Sequence, residues 1–342
     1  MILPVALLLA QVAGPSTAGA SQQKCGTCHA KEAEALRSSP MAHALQKPAD
    51  SDLLQKNPDL NFHAGRYSYA IRRQGDRFLY SVSDGTDTLA APIQWAFGKG
   101  IVGQTYLVER AGTWYEGTVS LYSGTQALDL TPGHESLPRR TLDEAFGRKI
   151  DSPEMRRCIG CHSTDAVWGR ATAPQSVLPG VQCWQCHKDS QQHAAAVTKG
   201  DVRNAKIAKL STLTTEDLGA VCSQCHPSWA EVSSKGPRGP LNVRMQLYRL
   251  TNSRCYDSAD RRISCTACHD PHGNLETSAS VYDSRCLQCH GPANRPVTAN
   301  ACPVAKQDCT TCHMPKVELP GMHYQFTDHQ IRIVRPGERY PN

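Results

Sequence analysis

Apolar bulk is what this 342-residue chain has least of. Hydrophobic residues make up 39% of it and aromatics 6%, with five Phe in all, and the mean hydropathy is −0.46. The length would suit two or three domains, but side chains this polar fill a large interior poorly, so the chain needs something else to bury. No apolar run reaches the roughly 20 residues that a spanning helix requires. Lys and Arg are absent from the first 20 residues, where Ile2 to Ala13 is mostly apolar and Ala18-Gly19-Ala20 offers a small-x-small cleavage site. That pattern predicts an export signal over residues 1–20. A short membrane anchor is the competing reading, but the run is too short, and no Cys follows closely enough for a lipid anchor. The mature chain is therefore expected to start near Ser21 and not to span a membrane.

Cysteine is what the chain has in excess, at 16 residues. Fourteen of them fall into seven copies of Cys-x-x-Cys-His: Cys25, Cys28 and His29; Cys158, Cys161 and His162; Cys183, Cys186 and His187; Cys222, Cys225 and His226; Cys265, Cys268 and His269; Cys286, Cys289 and His290; Cys309, Cys312 and His313. Two thiols three positions apart reach the two vinyl groups on one side of a haem and form thioethers. The next residue then points under the ring and supplies the iron's proximal imidazole. Zinc sites use Cys-x-x-Cys without demanding His next, redox dithiols occur singly, and iron–sulfur clusters want other Cys spacings. With 14 His in the whole chain, chance does not place one after every pair. Seven covalently bound haem c groups are expected, attached outside the cytoplasm. They also reinterpret the +6 net charge. Fourteen propionates against seven ferric cores bring it to about −1, so the basic balance serves to pair Arg and Lys with propionates and does not point to nucleic acid.

Seven His lie outside the motifs: His43, His63, His134, His193, His272, His323 and His329. Seven irons need seven distal ligands, and imidazole is the commonest metal ligand, so each is a candidate. His272 and His193 follow a proximal His too closely to reach the same iron and would serve a neighbouring haem. Met41 rivals His43, because Met can also be axial. Cys255 and Cys302 remain, and in an oxidising compartment a disulfide between them is the favoured reading against two free thiols.

Along the chain, the signal (1–20) precedes a single-haem segment (21–60), a β-rich haem-free segment (61–150) and a six-haem domain (151–342). Tyr67–Ile71 and Phe78–Val82 alternate around Gln74-Gly75-Asp76, and Thr105–Glu109 with Thr113–Glu116 flank Ala111-Gly112. Both read as hairpins in a small antiparallel β insertion near residues 61–130 that covers haems or docks a partner. The rest is expected to be mainly α and irregular, a haem-cored multihaem cytochrome c fold, with helices at Thr214–His226 and Asn242–Thr251.

Longer phrases surround the motifs. They include Ser39-Pro40-Met41-Ala42-His43, Phe62-His63 with Tyr67 and Tyr69, Gly98-Lys99-Gly100 before Thr105-Tyr106-Leu107, and Leu130-Thr131-Pro132-Gly133. Later come Ser253-Arg254-Cys255-Tyr256, Asp270-Pro271-His272, Met314-Pro315-Lys316 and Phe326-Thr327-Asp328-His329. In these the sequence resembles the cytochrome c-552/c-554 type of multihaem cytochrome through most of the mature chain. The resemblance implies electron transfer, stacked and perpendicular haem pairs, and bis-histidine ligation at His63, His193, His272, His323 and His329.

Three functions follow as expectations. The leading one is a periplasmic or cell-surface electron carrier without a catalytic residue. It would take electrons from a redox protein donor and pass them to a redox protein acceptor, such as a membrane-bound quinol-linked or an outer-surface cytochrome. The second is an oxidoreductase acting on a small nitrogen or sulfur oxyanion at one open iron. The Lys-for-His motif variant that serves nitrite reduction is absent. The third is a subunit of a cytochrome oligomer or filament, with His329 donated to a neighbour.

Overall fold

A computed structural model describes residues 24–164, 177–201, 203–291, 302–335 and 337–341. The expected signal at 1–20 lies outside the described residues. Among the described residues no helix is long and apolar enough to cross a membrane.

Period-2 alternation between residues 59 and 130 builds a larger sheet than its sequence suggested. Ten antiparallel strands take part: β1 (Leu45–Gln46), β2 (Asp59–Ala64), β3 (Tyr67–Gln74), β4 (Arg77–Ser83), β5 (Thr88–Phe97), β6 (Gly103–Arg110), β7 (Thr113–Gly117), β8 (Val119–Tyr122), β9 (Ala127–Leu130) and β10 (Gly147–Lys149). They run in the order β10-β7-β6-β5-β4-β3-β2, with β1 on β5 and the β8–β9 hairpin on β6. On β3 the side chains of Tyr67, Tyr69 and Ile71 face inward, and on β4 those of Phe78, Tyr80 and Val82 do the same. Together with Ile93, Tyr106, Val108, Tyr115, Leu121 and Phe146 they form the main apolar core. The sheet thus begins before the expected insertion, at β1, and ends after it, at β10. It was underestimated because β5 contains Pro92 and an irregular register between Ile93 and Trp95, which breaks the alternation that marks a strand.

Both expected hairpins are present. Gln74 pairs with Arg77, and Arg110 with Thr113. In the second turn Ala111 (φ 49°) and Gly112 (φ 77°) are both left-handed, as a twist-matched two-residue hairpin requires. A second apolar cluster (Leu45, Trp95, Leu107, Ile150, Met155, Ile159, Val177) joins the sheet to the helix Ser152–His162. Pro at its second residue and the Asp151 side chain accepting from Glu154 N start that helix.

Beyond residue 180 the apolar clusters nearly stop. Short helices carry the motifs: Cys183–Cys186, Thr215–Cys222, Cys265–Cys268, Ala279–His290 and Cys309–His313. The expected helix over Thr214–His226 starts on its Thr214 cap but ends at Cys222. That over Asn242–Thr251 divides at Met245 into a 3-10 turn (Gly239–Arg244) and the helix Gln246–Thr251. Among the described residues there, an apolar cluster centres on Val243, Leu319 and Met322, while Leu241, Leu275, Leu287, Val304 and Ile333 are exposed.

Ala111 is a non-glycine residue at a left-handed position, which costs an L-alanine about 1–2 kcal/mol. Ala111→Asn, which tolerates that region, is expected to raise the sheet's stability by about 1 kcal/mol, read as a higher denaturation midpoint of the far-ultraviolet strand signal.

Candidate haem-ligand site

The motif turns close on themselves in the way the chemistry needs. In all seven the residue-five amide donates back to the first Cys carbonyl or lies in the same helix as both Cys, as with His29 N to Cys25 O (2.9 Å), His187 N to Cys183 O (3.0 Å), His226 N to Cys222 O (2.9 Å) and His269 N to Cys265 O (2.9 Å). Both thiols and the imidazole therefore project from one turn.

Three motif imidazoles face a His from a distant part of the chain. His29 and His193 have ring centres 6.4 Å apart, His187 and His272 6.3 Å, and His269 and His329 6.1 Å. Two metal–imidazole bonds of about 2.0 Å, each continued about 1.1 Å to a ring centre, separate two ring centres by roughly 6.2 Å across one ion. The three gaps match that span, and they are too wide for direct stacking contact. The donor set thus fits a six-coordinate iron between each pair.

Hydrogen bonds divide the remaining His by which nitrogen they leave open. His193 Nδ1 bonds Ala205 O (2.6 Å) and His329 Nδ1 bonds Thr327 O (3.0 Å), while His272 Nδ1 lies 3.4 Å from Asp270 Oδ1. Among the motif His, His162 Nδ1 bonds Ala44 O (2.7 Å) and His313 Nδ1 bonds Arg332 O (2.9 Å). A carbonyl or carboxylate on Nδ1 fixes the tautomer and turns Nε2 toward a metal. His43, His134 and His323 are held the other way. His43 Nε2 bonds Arg37 O (2.8 Å) and its Nδ1 bonds Gln46 Oε1 (3.2 Å). His134 is buried, and its Nε2 lies 3.0 Å from Glu116 Oε2. His323 Nε2 lies 2.8 Å from Asp129 Oδ2, with its ring edge-on to Tyr122. These three serve as structural ties in this arrangement. His63 lies between the two groups, with Nδ1 on Ser68 Oγ (3.0 Å) at the exposed β2–β3 edge. Counting His by residue type could not separate these cases, because the distinction lies in which nitrogen meets a carbonyl.

Burial keeps several of the ring nitrogens neutral and so ready to donate a lone pair. It pushes His329 down to about 4, helped by the neighbouring His269. It also lowers His162, where the Ala44 carbonyl partly opposes it, and His269. Motifs meet one another as well. Cys183 lies in hydrogen-bond reach of Cys25, and burial with that neighbour raises its thiol to about 11. Cys161 Sγ approaches Gln224 O inside the fourth motif (3.8 Å), and Asp283 on the sixth motif's helix accepts from Asp308 N (2.7 Å) and Cys309 N (2.8 Å) of the seventh. Glu116 is shared by His134 and Arg148. Burial pushes its carboxyl up, but these two partners outweigh it and leave the group below the usual carboxylate range.

Cys255 and Cys302 both stand as exposed thiols. Cys255 lies within electrostatic reach of Cys268, Cys286 and Cys289 in the fifth and sixth motifs. Among these residues the sequence missed Gly180 as a contributor to the site. It takes a left-handed φ of 70°, and a Cβ there would come 1.9 Å from Ala42 O. Its amide donates to His162 O (3.1 Å), and Val181 N donates to Met41 O (2.9 Å). The signal was a lone Gly between Pro179 and Val181, indistinct from any turn glycine.

The family described as cytochrome c554 and c-prime matches residues 132–188, which contain the second and third motifs. Over 208 residues the chain is 26% identical to a multiheme cytochrome MtrA from Shewanella baltica, covering 48% of this chain and 62% of that protein. Over 226 residues it is 24% identical to a high-molecular-weight cytochrome c from Nitratidesulfovibrio vulgaris, covering 61% of this chain and 36% of that one. The chain thus spans less than two thirds of either curated relative. No solved structure matches it.

Gly180→Ala is expected to destabilise the fold by roughly 2 kcal/mol or more, since both the backbone conformation and the crossing with Ala42 forbid a side chain. Thermal unfolding followed by circular dichroism checks this, with a lower midpoint as the expected result.

Proposed function

We propose that this chain, a multihaem c-type cytochrome, carries electrons along a row of seven covalently held haems outside the cytoplasm and has no substrate of its own. The three His pairs at 6.1–6.4 Å carry this reading. Haem c supplies reversible one-electron chemistry at iron. The chain's part is to hold each group by two thioethers, to set its axial imidazoles and to pack the motifs against one another. The proposed ligand set is His29 with His193, His187 with His272, and His269 with His329. His162, His226, His290 and His313 are proximal in the other four motifs.

The distribution of apolar residues supports a haem-filled interior after residue 180. Six of the seven motifs lie within residues 151–342, and past residue 180, among the described residues, the apolar cluster centres on three buried residues. Burying a side chain such as Leu or Phe contributes about 1.5–3 kcal/mol. So small a cluster does not order that length of chain against its conformational entropy, whereas tethered macrocycles would supply the missing apolar contact. The contacts between motifs support electron exchange from one group to the next, and donor and acceptor are redox proteins on this reading.

The test is low-temperature electron paramagnetic resonance of the oxidised holoprotein, with haem content from intact mass. Seven haems are expected, with low-spin signals for the three His-paired groups. His193→Ala, His272→Ala and His329→Ala should each convert one haem to high spin. His43→Ala, His134→Ala and His323→Ala should leave the spin-state count unchanged. A low-spin spectrum that survives all of the first three substitutions would overturn the ligand set. A stoichiometric high-spin signal in the unaltered protein that shifts with nitrite or hydroxylamine would replace the carrier by an oxidoreductase.

A further inference from the structure

The C-terminal tail is fixed by an arrangement that the ligand set alone does not require. Arg249, on the helix Gln246–Thr251, is fully buried, and so is Asp328, 79 residues further on. The two meet fork to carboxylate, with Nε to Oδ1 at 2.8 Å and Nη2 to Oδ2 at 2.8 Å. Arg332 approaches the same carboxylate through Nη1 (2.5 Å), and Arg249 Nη1 also donates to Pro341 O (2.8 Å). The Tyr340 ring lies over both guanidinium groups, 4.6 Å and 6.0 Å from them. Taking three charges out of water is expensive, and apolar side chains of similar volume would often hold a tail at least as well. A bidentate Arg pair gives direction in exchange, because the planar fork accepts a carboxylate in one orientation.

That direction is passed on to two imidazoles. Asp328 immediately precedes His329, whose ring stands 6.1 Å from His269. Asp328 N also donates to Pro315 O (2.9 Å), just past the seventh motif. On the other arm, the Arg332 carbonyl accepts from His313 Nδ1 (2.9 Å), and Arg332 N donates to His313 O (3.2 Å). One buried cluster therefore touches the distal imidazole facing the fifth motif and the proximal imidazole of the seventh.

We propose that the Arg249–Asp328–Arg332 triad is a positioning device that sets the axial imidazoles of two haems at once, His329 at the fifth motif and His313 at the seventh. The proposal rests on the ligand set given above. It makes these three residues positioning residues, acting through imidazoles they hold, and it couples the ligand fields of two haems to one buried ion cluster.

The test uses the holoprotein with Arg249→Met, Arg249→Lys and His329→Ala, together with Cys309→Ala/Cys312→Ala to remove the seventh attachment. The readouts are the resolved haem resonances, low-spin and high-spin, and a spectroelectrochemical titration. His329→Ala should lose one low-spin signal, which identifies the fifth haem, and the double Cys variant should lack one further haem resonance, which identifies the seventh. Arg249→Met should shift or abolish those two signals together and leave the others in place. Arg249→Lys keeps the charge but not the fork, and should disturb the same two with haem content unchanged. It decides the matter if the Met variant does not fold. Disturbance of neither signal, of one alone, or of all signals equally in the Arg249 variants would overturn the positioning role while leaving the ligand set standing. No loss of a low-spin signal in His329→Ala would instead remove the ligand assignment, and the proposal with it.

Discussion

Two imidazoles held one metal's width apart, from parts of the chain that share no secondary structure, impose the constraint around which the second half of this protein is arranged. The ring of His269 stands opposite that of His329, and the ring of His187 opposite that of His272, at separations that two metal–nitrogen bonds would span. For such a pair to form, the backbone must deliver each ring with its Nε2 inward. In the structure His193 Nδ1 donates to Ala205 O and His329 Nδ1 to Thr327 O, which leaves Nε2 as the lone-pair nitrogen. The short motif helices, the scarcity of apolar clusters and the irregular links between motifs are all compatible with an interior built around such pairs.

The sheet follows a different principle. Its core is made of side chains alone, with Tyr80, Phe78, Tyr106 and Leu121 fully buried, and needs nothing added. It meets the motif region at a few defined places. Leu45 and Trp95 pack against Met155 and Ile159 on the second motif's helix, and the Phe97 ring stands edge-on to His162 at 4.8 Å. His323 reaches back to Asp129 and Tyr122. A rigid sheet thus backs the second motif on one side and holds the C-terminal loop on the other. Here His134 and His323 tie elements together through their carboxylate partners.

The buried charges are concentrated where the chain must be led over a distance. Arg249 and Asp328 hold a tail with little regular structure against a helix far upstream. Arg148 and Glu116 join β10 to β7, with Glu154 of the second motif's helix on the same guanidinium. A planar guanidinium gives an angle as well as an attraction, and for the C-terminal tail that angle fixes chain with little regular structure, whereas the half-buried Arg148 ties strands already paired to the second motif's helix.

Sequence by itself determined what depends on near neighbours. The Cys-x-x-Cys-His spacing is local chemistry, since one turn must carry two thiols and an imidazole. The β3–β4 and β6–β7 hairpins are local alternation around short turns. The extent of the sheet was less legible, because Pro92 and the irregular register of β5 hide a strand that only its neighbours on both sides reveal. Which His faces which motif was not legible at all. Seven His matched seven motifs in number, but only the tertiary structure gives His193, His272 and His329 an opposing imidazole and directs the Nε2 of His43, His134 and His323 to a carbonyl or a carboxylate. The physical reason is that an imidazole's role is decided by the groups that meet its two nitrogens. For these residues those groups come from the folded surroundings, in several cases from far along the chain.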